Sequence, residues 1–274
     1  MTASLLSESD QHTAAADFAR DGFWIAPPLI PAELLARVRT RIDAVYAGNY
    51  ETGIPPLGPP PKRTQPPTAL VKIDNAHRSD RTILELISHP AIGQWASALT
   101  SAKFVQVFAT QLLIKPPLPE GQVSVGWHQD QEYWNPALEG ELFTAWVAIS
   151  EVTENSGPMR FVRGSQHWGL LNSGDFFSSN LDALKYSIRE KSDRNSWQEV
   201  AAVMPPGAVS FHHNLTVHGS GPNLSTAARV SFAIHLRTDK SGLREGINWR
   251  DVNYLNDFAD PQGCPVCYRA AGLQ

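Results

Sequence analysis

The chain has 274 residues, with 23 Lys and Arg against 27 Asp and Glu, 9 His and 2 Cys. A formal charge of −4 argues against nucleic-acid binding, which calls for a basic stripe, and two cysteines cannot build a disulfide framework. No apolar run reaches the ~18 residues of a membrane helix. The N-terminal MTASLLSESDQH lacks the basic and apolar regions of a secretory signal, so the expectation is a cytoplasmic protein with neither membrane nor nucleic-acid partners.

Residues 10–20 are Ala-rich and read as a helix stopped by Gly22. Phe23-Trp24-Ile25 is a short apolar run ended by Pro27-Pro28. Pro31 suits the first turn of a second helix, in which Leu34, Leu35, Val38, Ile42, Val45 and Tyr46 recur at helical spacing before Gly48. Arg37, Arg39 and Arg41 read as its solvated face. Residues 53–68 are proline-dense, which excludes helix and central strand and leaves a loop or lid. Residues 80–99 predict short helices with Asp80 as N-cap.

From residue 103 the pattern changes. Runs rich in Val, Ile, Phe, Trp and Thr at 103–115, 143–151, 159–162, 199–203, 208–212 and 228–237 are separated by Gly, Pro and Asn turns. Such runs indicate a β-sandwich or barrel. Residues 164–198 form a long insertion with local helix at 181–190. In 228–237, Val230, Phe232, Ile234 and Leu236 share one face. Arg229, Ser231, Ala233, His235 and Arg237 share the other. In the same way Thr144, Trp146 and Ala148 fall together. An interior that is small and polar suggests a site inside the barrel. The expected organisation is a single domain over 1–274: helical support and the proline-rich loop in 1–100, the β core in 101–240, and a C-terminal tail in 241–274.

The strongest local signal is Trp127-His128-Gln129-Asp130. On an extended segment His and Asp two apart point to the same side and can converge on one metal. His218, at the end of Leu215-Thr216-Val217 and before a Gly-rich turn, is the best second imidazole. Two His and one carboxylate leave positions open and suit non-haem Fe(II) that must bind a co-substrate and O₂. An isolated His-x-Asp also arises by chance, but Arg229 lies eleven residues after His218 on the polar face. A buried Arg needs a partner, and its strand face offers no acid. A dicarboxylate would supply one through a two-pronged hydrogen bond, with Ser220 adding a hydroxyl.

WHQD, TAWVAISEVTENSGPMRFVRGSQHWG and PPGAVSFHHNLTVHGSGPNLSTAAR, in this order, resemble the phytanoyl-CoA dioxygenase family of Fe(II)/2-oxoglutarate oxygenases. The resemblance runs from about residue 15 to residue 240 and takes in DFARDGFWIAPPLIPAELLARVR and QLLIKPPLPEG. It implies a double-stranded β-helix, a jelly roll, with N-terminal supporting helices. It also implies Fe(II), 2-oxoglutarate as co-substrate, and O₂. By the same resemblance His128, Asp130 and His218 match the iron ligands, and Arg229 and Ser220 match the residues that hold the distal carboxylate. Trp146, Gln111 and, more loosely, Lys72 match positions near the co-substrate. The implied activity is hydroxylation of an unactivated C–H bond of a small-molecule substrate with release of succinate and CO₂. A carboxylate at Asp130, where halogenases of this fold carry a small residue, favours oxygen insertion.

Three alternatives stay open at the level of sequence. The same iron centre can desaturate or cyclise, Zn²⁺ on the same triad can hydrolyse, and a jelly roll can bind without catalysis. A thioester substrate would call for a basic mouth, for which Lys62, Arg63, Lys185, Arg189, Lys191 and Arg194 are available. His212, His213 and His167 read as structural. Cys264-Pro265-Val266-Cys267 lacks the second pair that a zinc site of this type needs and reads as a tail motif without chemistry. Nothing in the sequence sets the oligomeric state.

Overall fold

The computed structural model describes residues 8–58, 67–117, 123–192 and 197–272. Helix α1 (Glu8–Asp21) runs into β1 (Phe23–Pro28), and α2 (Ala32–Tyr46) follows. Then come β2 (Val71–Asp74), α3 (Arg81–Ile87), α4 (Pro90–Thr100), β3 (Phe104–Lys115) and β4 (Val125–His128). A four-residue helix α5 (Gln131–Trp134) leads to β5 (Leu138–Ala148) and β6 (Met159–Val162). The remainder is α6 (Leu181–Lys191), β7 (Glu199–Ala201), β8 (Ala208–His213), β9 (His218–Ser220), β10 (Arg229–Leu243) and β11 (Val266–Arg269). No helix among the described residues is long and apolar enough to cross a membrane.

The strands form two antiparallel sheets. The larger has the order β1-β8-β5-β10-β3-β11, with β2 also paired to β3, and the smaller has β4-β9-β6-β7. Helix α6 packs against β4 of the smaller sheet, and helices α1–α4 cover the outer face of the larger one. There Val230, Phe232, Ile234 and Leu236 of β10 join Leu34, Leu35, Val38 and Ile42 of α2 in one apolar core, as both periodicities predict. A second core, with Phe23, Trp146 and Phe161, fills one end of the space between the sheets. The opposite residues of β10 face that space. The two sheets face to face are the expected double-stranded β-helix.

A bulge in β3 sets which residues enter the interior. His235 pairs with Ala109 and Leu236 with Val107, so Phe108 is an extra residue. The extra residue reverses the alternation. Val105 and Val107 before it and Leu112 and Ile114 after it all reach the helical core. Gln111, Leu113 and Lys115 therefore share the opposite, inward face.

Three details depart from the sequence reading. Pro27 and Pro28 do not end the apolar run at 23–25. β1 continues through Pro28 at the sheet edge, where proline removes no needed donor. The three arginines of α2 are more than a solvated face: Arg37 pairs with Glu85 at 2.6 Å, Arg41 with buried Asp80 at 2.5 Å, and Arg39 donates to the Ile149 carbonyl. Asp80 meanwhile caps α3 through the amides of Thr82 and Ile83. The 241–274 segment is not all tail, because β11 pairs with β3 and Cys267 joins the helical core. Cys264 and Cys267 are buried free thiols, and burial pushes both up to about 12, which makes them inert. The centre of the proline-rich loop, with Lys62 and Arg63, and also Arg194, lies outside the described residues.

Candidate active site

Strands β4 and β9 pair so that His128 and His218 are directly opposite, with ring centroids 4.2 Å apart. Asp130 joins them by a different route from the one its spacing suggests. The strand ends at His128, and Asp130 has already turned helical (φ −55°, ψ −35°) as the residue that opens α5. The carboxylate converges through this turn, not through the strand pleat. Asp130 Oδ1 lies 3.7 Å from Nε2 of both imidazoles. One donor atom from each of the three residues falls within 4.8 Å of the others.

Neighbouring groups leave one donor atom of each ligand free. His128 Nδ1 hydrogen-bonds the Gly126 carbonyl at 2.7 Å and His218 Nδ1 the Thr216 carbonyl at 2.9 Å. A carbonyl only accepts, so each ring carries its proton on Nδ1 and offers a bare Nε2 lone pair. Burial pushes both histidines down to about 4, which keeps them neutral, as metal ligation requires. Burial alone would raise Asp130, but His218 and the hydrogen-bonded His212 outweigh it and hold the carboxyl well below its ordinary range. Asp130 Oδ2 accepts from Thr144 at 2.7 Å and His212 at 3.2 Å, which leaves Oδ1 to face the imidazoles. Two neutral imidazoles and one carboxylate fit a divalent iron with open positions.

The support comes from one rung of the larger sheet. Thr144 on β5 is opposite His235 on β10 and His212 on β8. Thr144 Oγ1 touches His235 Nδ1 at 2.9 Å, so all three side chains connect to Asp130. Burial pushes His235 down to about 4.

The same interior space is lined by Arg229, Ser220, Trp146 and Gln111 together with the triad. The Arg229 guanidinium is 2% exposed and lies over the Trp146 ring at 5.2 Å. It donates from Nη1 to the Gly157 carbonyl, while its Nε has no partner among the described residues. Behind Ser220 sits a second buried basic side chain. Lys115, 0% exposed, donates to Ser220 Oγ and the Gly221 carbonyl, each at 2.6 Å. Burial, then the charge of Arg229, pushes Lys115 down to about 6, and burial pushes Arg229 down to about 10. Among the described residues no carboxylate pairs with either. Two like charges held out of water are unfavourable unless an anion joins them. Beside the triad, that arrangement suits a carboxylate at the far end of a metal-chelating molecule.

Lys72 is the site residue that the structure does not bring into this space. It pairs with Asp74 at 2.9 Å and lines an adjoining cavity of about 410 Å³, which Gln111, His128, Asp130 and His235 also reach. Tyr133, Trp134, Phe176, Phe177 and Tyr254 give this cavity aromatic walls. Two segments close over it: Leu57 and Gly58 from the start of the proline-rich loop, Phe176 and Phe177 from the 164–198 insertion. Glu132 and Gln129 anchor that insertion through the backbone amides of Ser173, Gly174 and Leu171. Of the basic residues proposed for a thioester mouth, Lys185 is engaged by Glu199 at 2.7 Å.

The sequence reading gave no role to Lys115 and treated His212 as structural. A signal for Lys115 was present, since it alternates with Gln111 and Leu113 at the end of an apolar strand. The rung joining Thr144, His212 and His235 needs the register of three strands that are far apart in sequence.

Comparison with known proteins agrees with this arrangement. The family model described as Phytanoyl-CoA dioxygenase (PhyH) matches residues 18–231. The peroxisomal phytanoyl-CoA dioxygenase of Homo sapiens is 22% identical over 229 residues, covering 80% of this chain and 65% of its own. The chain spans about half the length of the curated relatives it matches. Among solved structures, the non-haem α-ketoglutarate-dependent carbocyclase SnoK from nogalamycin biosynthesis superposes with a TM-score of 0.69 at 21% identity, over 93% of each chain. The epimerase SnoN, solved with Fe³⁺, α-ketoglutarate and nogalamycin RO, gives 0.66 at 22% identity over 87% of this chain and 88% of its own. At these identities the structural likeness is one of fold. The matched family model, which takes in the His128, Asp130, His218 and Arg229 positions, carries the assignment: the chain belongs to the phytanoyl-CoA dioxygenase family of Fe(II)/2-oxoglutarate-dependent dioxygenases.

Proposed function

We propose that this protein hydroxylates a C–H bond of a small-molecule substrate, with 2-oxoglutarate and O₂ as co-substrates and succinate and CO₂ as co-products. One oxygen atom of O₂ enters the substrate and the other enters succinate, so the reaction balances without a further reductant. In this reading His128, Asp130 and His218 hold Fe(II), and Arg229 and Ser220 receive the distal carboxylate of 2-oxoglutarate. Trp146 walls the co-substrate pocket, and Gln111 stands between it and the substrate cavity. Lys72, paired with Asp74 in the adjoining cavity, takes a place on the substrate side. The iron, when bound, supplies O₂ activation coupled to decarboxylation of the keto acid. The protein's own contribution is to keep the imidazoles neutral, aim Asp130 Oδ1, seat a dicarboxylate, and exclude water with the aromatic walls.

The observation that carries this reading is the buried pair Arg229 and Lys115, without a carboxylate partner among the described residues, beside a facial set of three ligands. A zinc hydrolase would have no use for that pair, and a binding module would have no use for three prepared donor atoms. The test is anaerobic protein titrated with Fe(II) and 2-oxoglutarate. It should develop a weak visible charge-transfer band, which Asp130→Ala abolishes and Arg229→Ala weakens. A wild-type protein that shows neither the band nor uncoupled succinate formation in air would overturn the proposal.

A further inference from the structure

We infer that the 410 Å³ cavity takes a neutral, ring-bearing small molecule that presents an O–H or N–H donor to Nε2 of His235. This rests on reading the adjoining site as the oxidising centre, since the donor would then lie beside the carbon that reacts.

Three observations carry the inference. The first is a proton count. Ionised Asp130 can only accept, so the single proton of Thr144 Oγ1 goes to Asp130 Oδ2. The contact between Thr144 Oγ1 and His235 Nδ1 then requires His235 Nδ1 to carry the proton. In a neutral ring this leaves Nε2 as a bare acceptor. That atom is buried and has no hydrogen-bond partner among the described residues, although the ring borders both the metal space and the larger cavity. A buried acceptor discriminates strongly against molecules that lack the matching donor, because they leave it unpaired.

The second observation is charge. Lys72 and Asp74 neutralise each other across 2.9 Å, and Asp130 aims Oδ1 at the position between His128 and His218 where the divalent metal of the proposed site would offset its charge. Among the described residues the cavity wall therefore offers no unpaired side-chain charge to a charged ligand. The third is the aromatic wall. Phe176 packs edge-on against His128 at 5.3 Å, and Phe177, 80% exposed, packs against Phe176 at 5.1 Å. An aromatic side chain left this open at a cavity rim is a stacking surface for an incoming ring.

The experiment uses the full chain with Mn(II), with and without 2-oxoglutarate, and measures binding of three probes by equilibrium dialysis. The probes are 2-naphthol, 2-methoxynaphthalene and 2-naphthoate. They share the ring system and differ in donor and charge. Wild-type protein should bind 2-naphthol about tenfold tighter than either of the others, the order expected for pairing a buried acceptor. His235→Leu should reduce that preference to within about twofold while affinity for 2-methoxynaphthalene holds. Phe177→Ala should weaken all three together. Equal wild-type affinities for naphthol and its methyl ether, or a preference that survives His235→Leu, overturn the role of His235. Tighter binding of naphthoate overturns the neutral-ligand assignment. If His235→Leu does not fold by circular dichroism, the wild-type comparison still decides, and His235→Gln, which keeps an acceptor, should retain part of the preference. A thermal shift on adding 2-oxoglutarate tests the oxygenase reading separately, so either idea can fail while the other stands.

Discussion

Replacing Arg229 by Met separates the cost of holding a cation in the interior from the use the protein makes of it. The guanidinium is 2% exposed, its Nε is unpaired, and burial pushes its pKa down to about 10. The ionisable group that feels its charge is another base, Lys115, and not an acid. Methionine is unbranched and adaptable enough to fill the same channel over Trp146. Exchanging buried ions for apolar side chains of similar volume is typically neutral or stabilising by about 1–4 kcal/mol. At roughly 2–4 °C per kcal/mol for chains of this general size, the ligand-free variant should melt at or a few degrees above the wild type. The wild type recovers the cost on binding the co-substrate: at 100 times Kd, 2-oxoglutarate should add about 2.7 kcal/mol, or about 5–10 °C. The variant should lose that shift. Thermal melts under nitrogen with Mn(II), with and without 2-oxoglutarate, read both quantities. A variant that melts well below the ligand-free wild type, or that shifts with 2-oxoglutarate as the wild type does, would refute the reasoning.

Two further outcomes follow from the same geometry. Thr144→Val keeps the shape but removes the donor that holds Asp130 Oδ2 at 2.7 Å. Metal affinity should fall about 10–100-fold, as for other groups that orient a ligand, measured by competition with a chromogenic chelator; unchanged affinity would remove Thr144 from the site. Binding of 2-oxoglutarate should also be linked to protons through Lys115, which burial and then Arg229 push down to about 6. A bound carboxylate raises that value, so above about pH 6 binding takes up a proton and affinity falls as pH rises. Below about pH 6 the lysine is charged in both states and the dependence flattens. Calorimetry in two buffers of different ionisation enthalpy reads the proton directly, and proton release would contradict the sign. Folding shows the opposite trend: the unfolded chain, with lysine at its ordinary 10.5, holds the extra proton between about pH 6 and 10.5, so this group makes the free protein more stable as pH rises through that window.

Much of the fold was legible because its periodicities are local. The buried residues of α2 are the six that recur at helical spacing, and the faces of β10 divide as strict alternation requires. His128, Asp130, His218 and Arg229 were legible because an imidazole pair, a carboxylate and an isolated cation on an inward face have few structural uses together. What was hidden depends on register or on short-range turns. The bulge at Phe108 reverses the alternation along β3, and no residue-level preference marks it, so only the local alternation with Gln111 and Leu113 pointed to Lys115. Asp130 enters through a helical turn, so it meets the two imidazoles by a route that the extended-strand argument did not contain. Lys72 and Asp74 are two apart on one strand and satisfy each other, which takes Lys72 away from the co-substrate space.

The rung of His235, Thr144 and His212 explains why this interior is polar where a sandwich core would normally be apolar. A carboxylate that must keep one oxygen for a metal needs its other oxygen occupied, or it rotates between both. In water, solvent would do this. In the buried space between two sheets the sheet itself supplies the donors, and three adjacent strands each contribute one side chain at the same level. Thr144 is suited to the centre because its hydroxyl can donate to Asp130 and accept from His235 at once. The arrangement leaves a buried lone pair on His235 and an unpaired nitrogen on His212. Both sit on the walls of the site, so the unsatisfied polarity lies where a ligand can meet it.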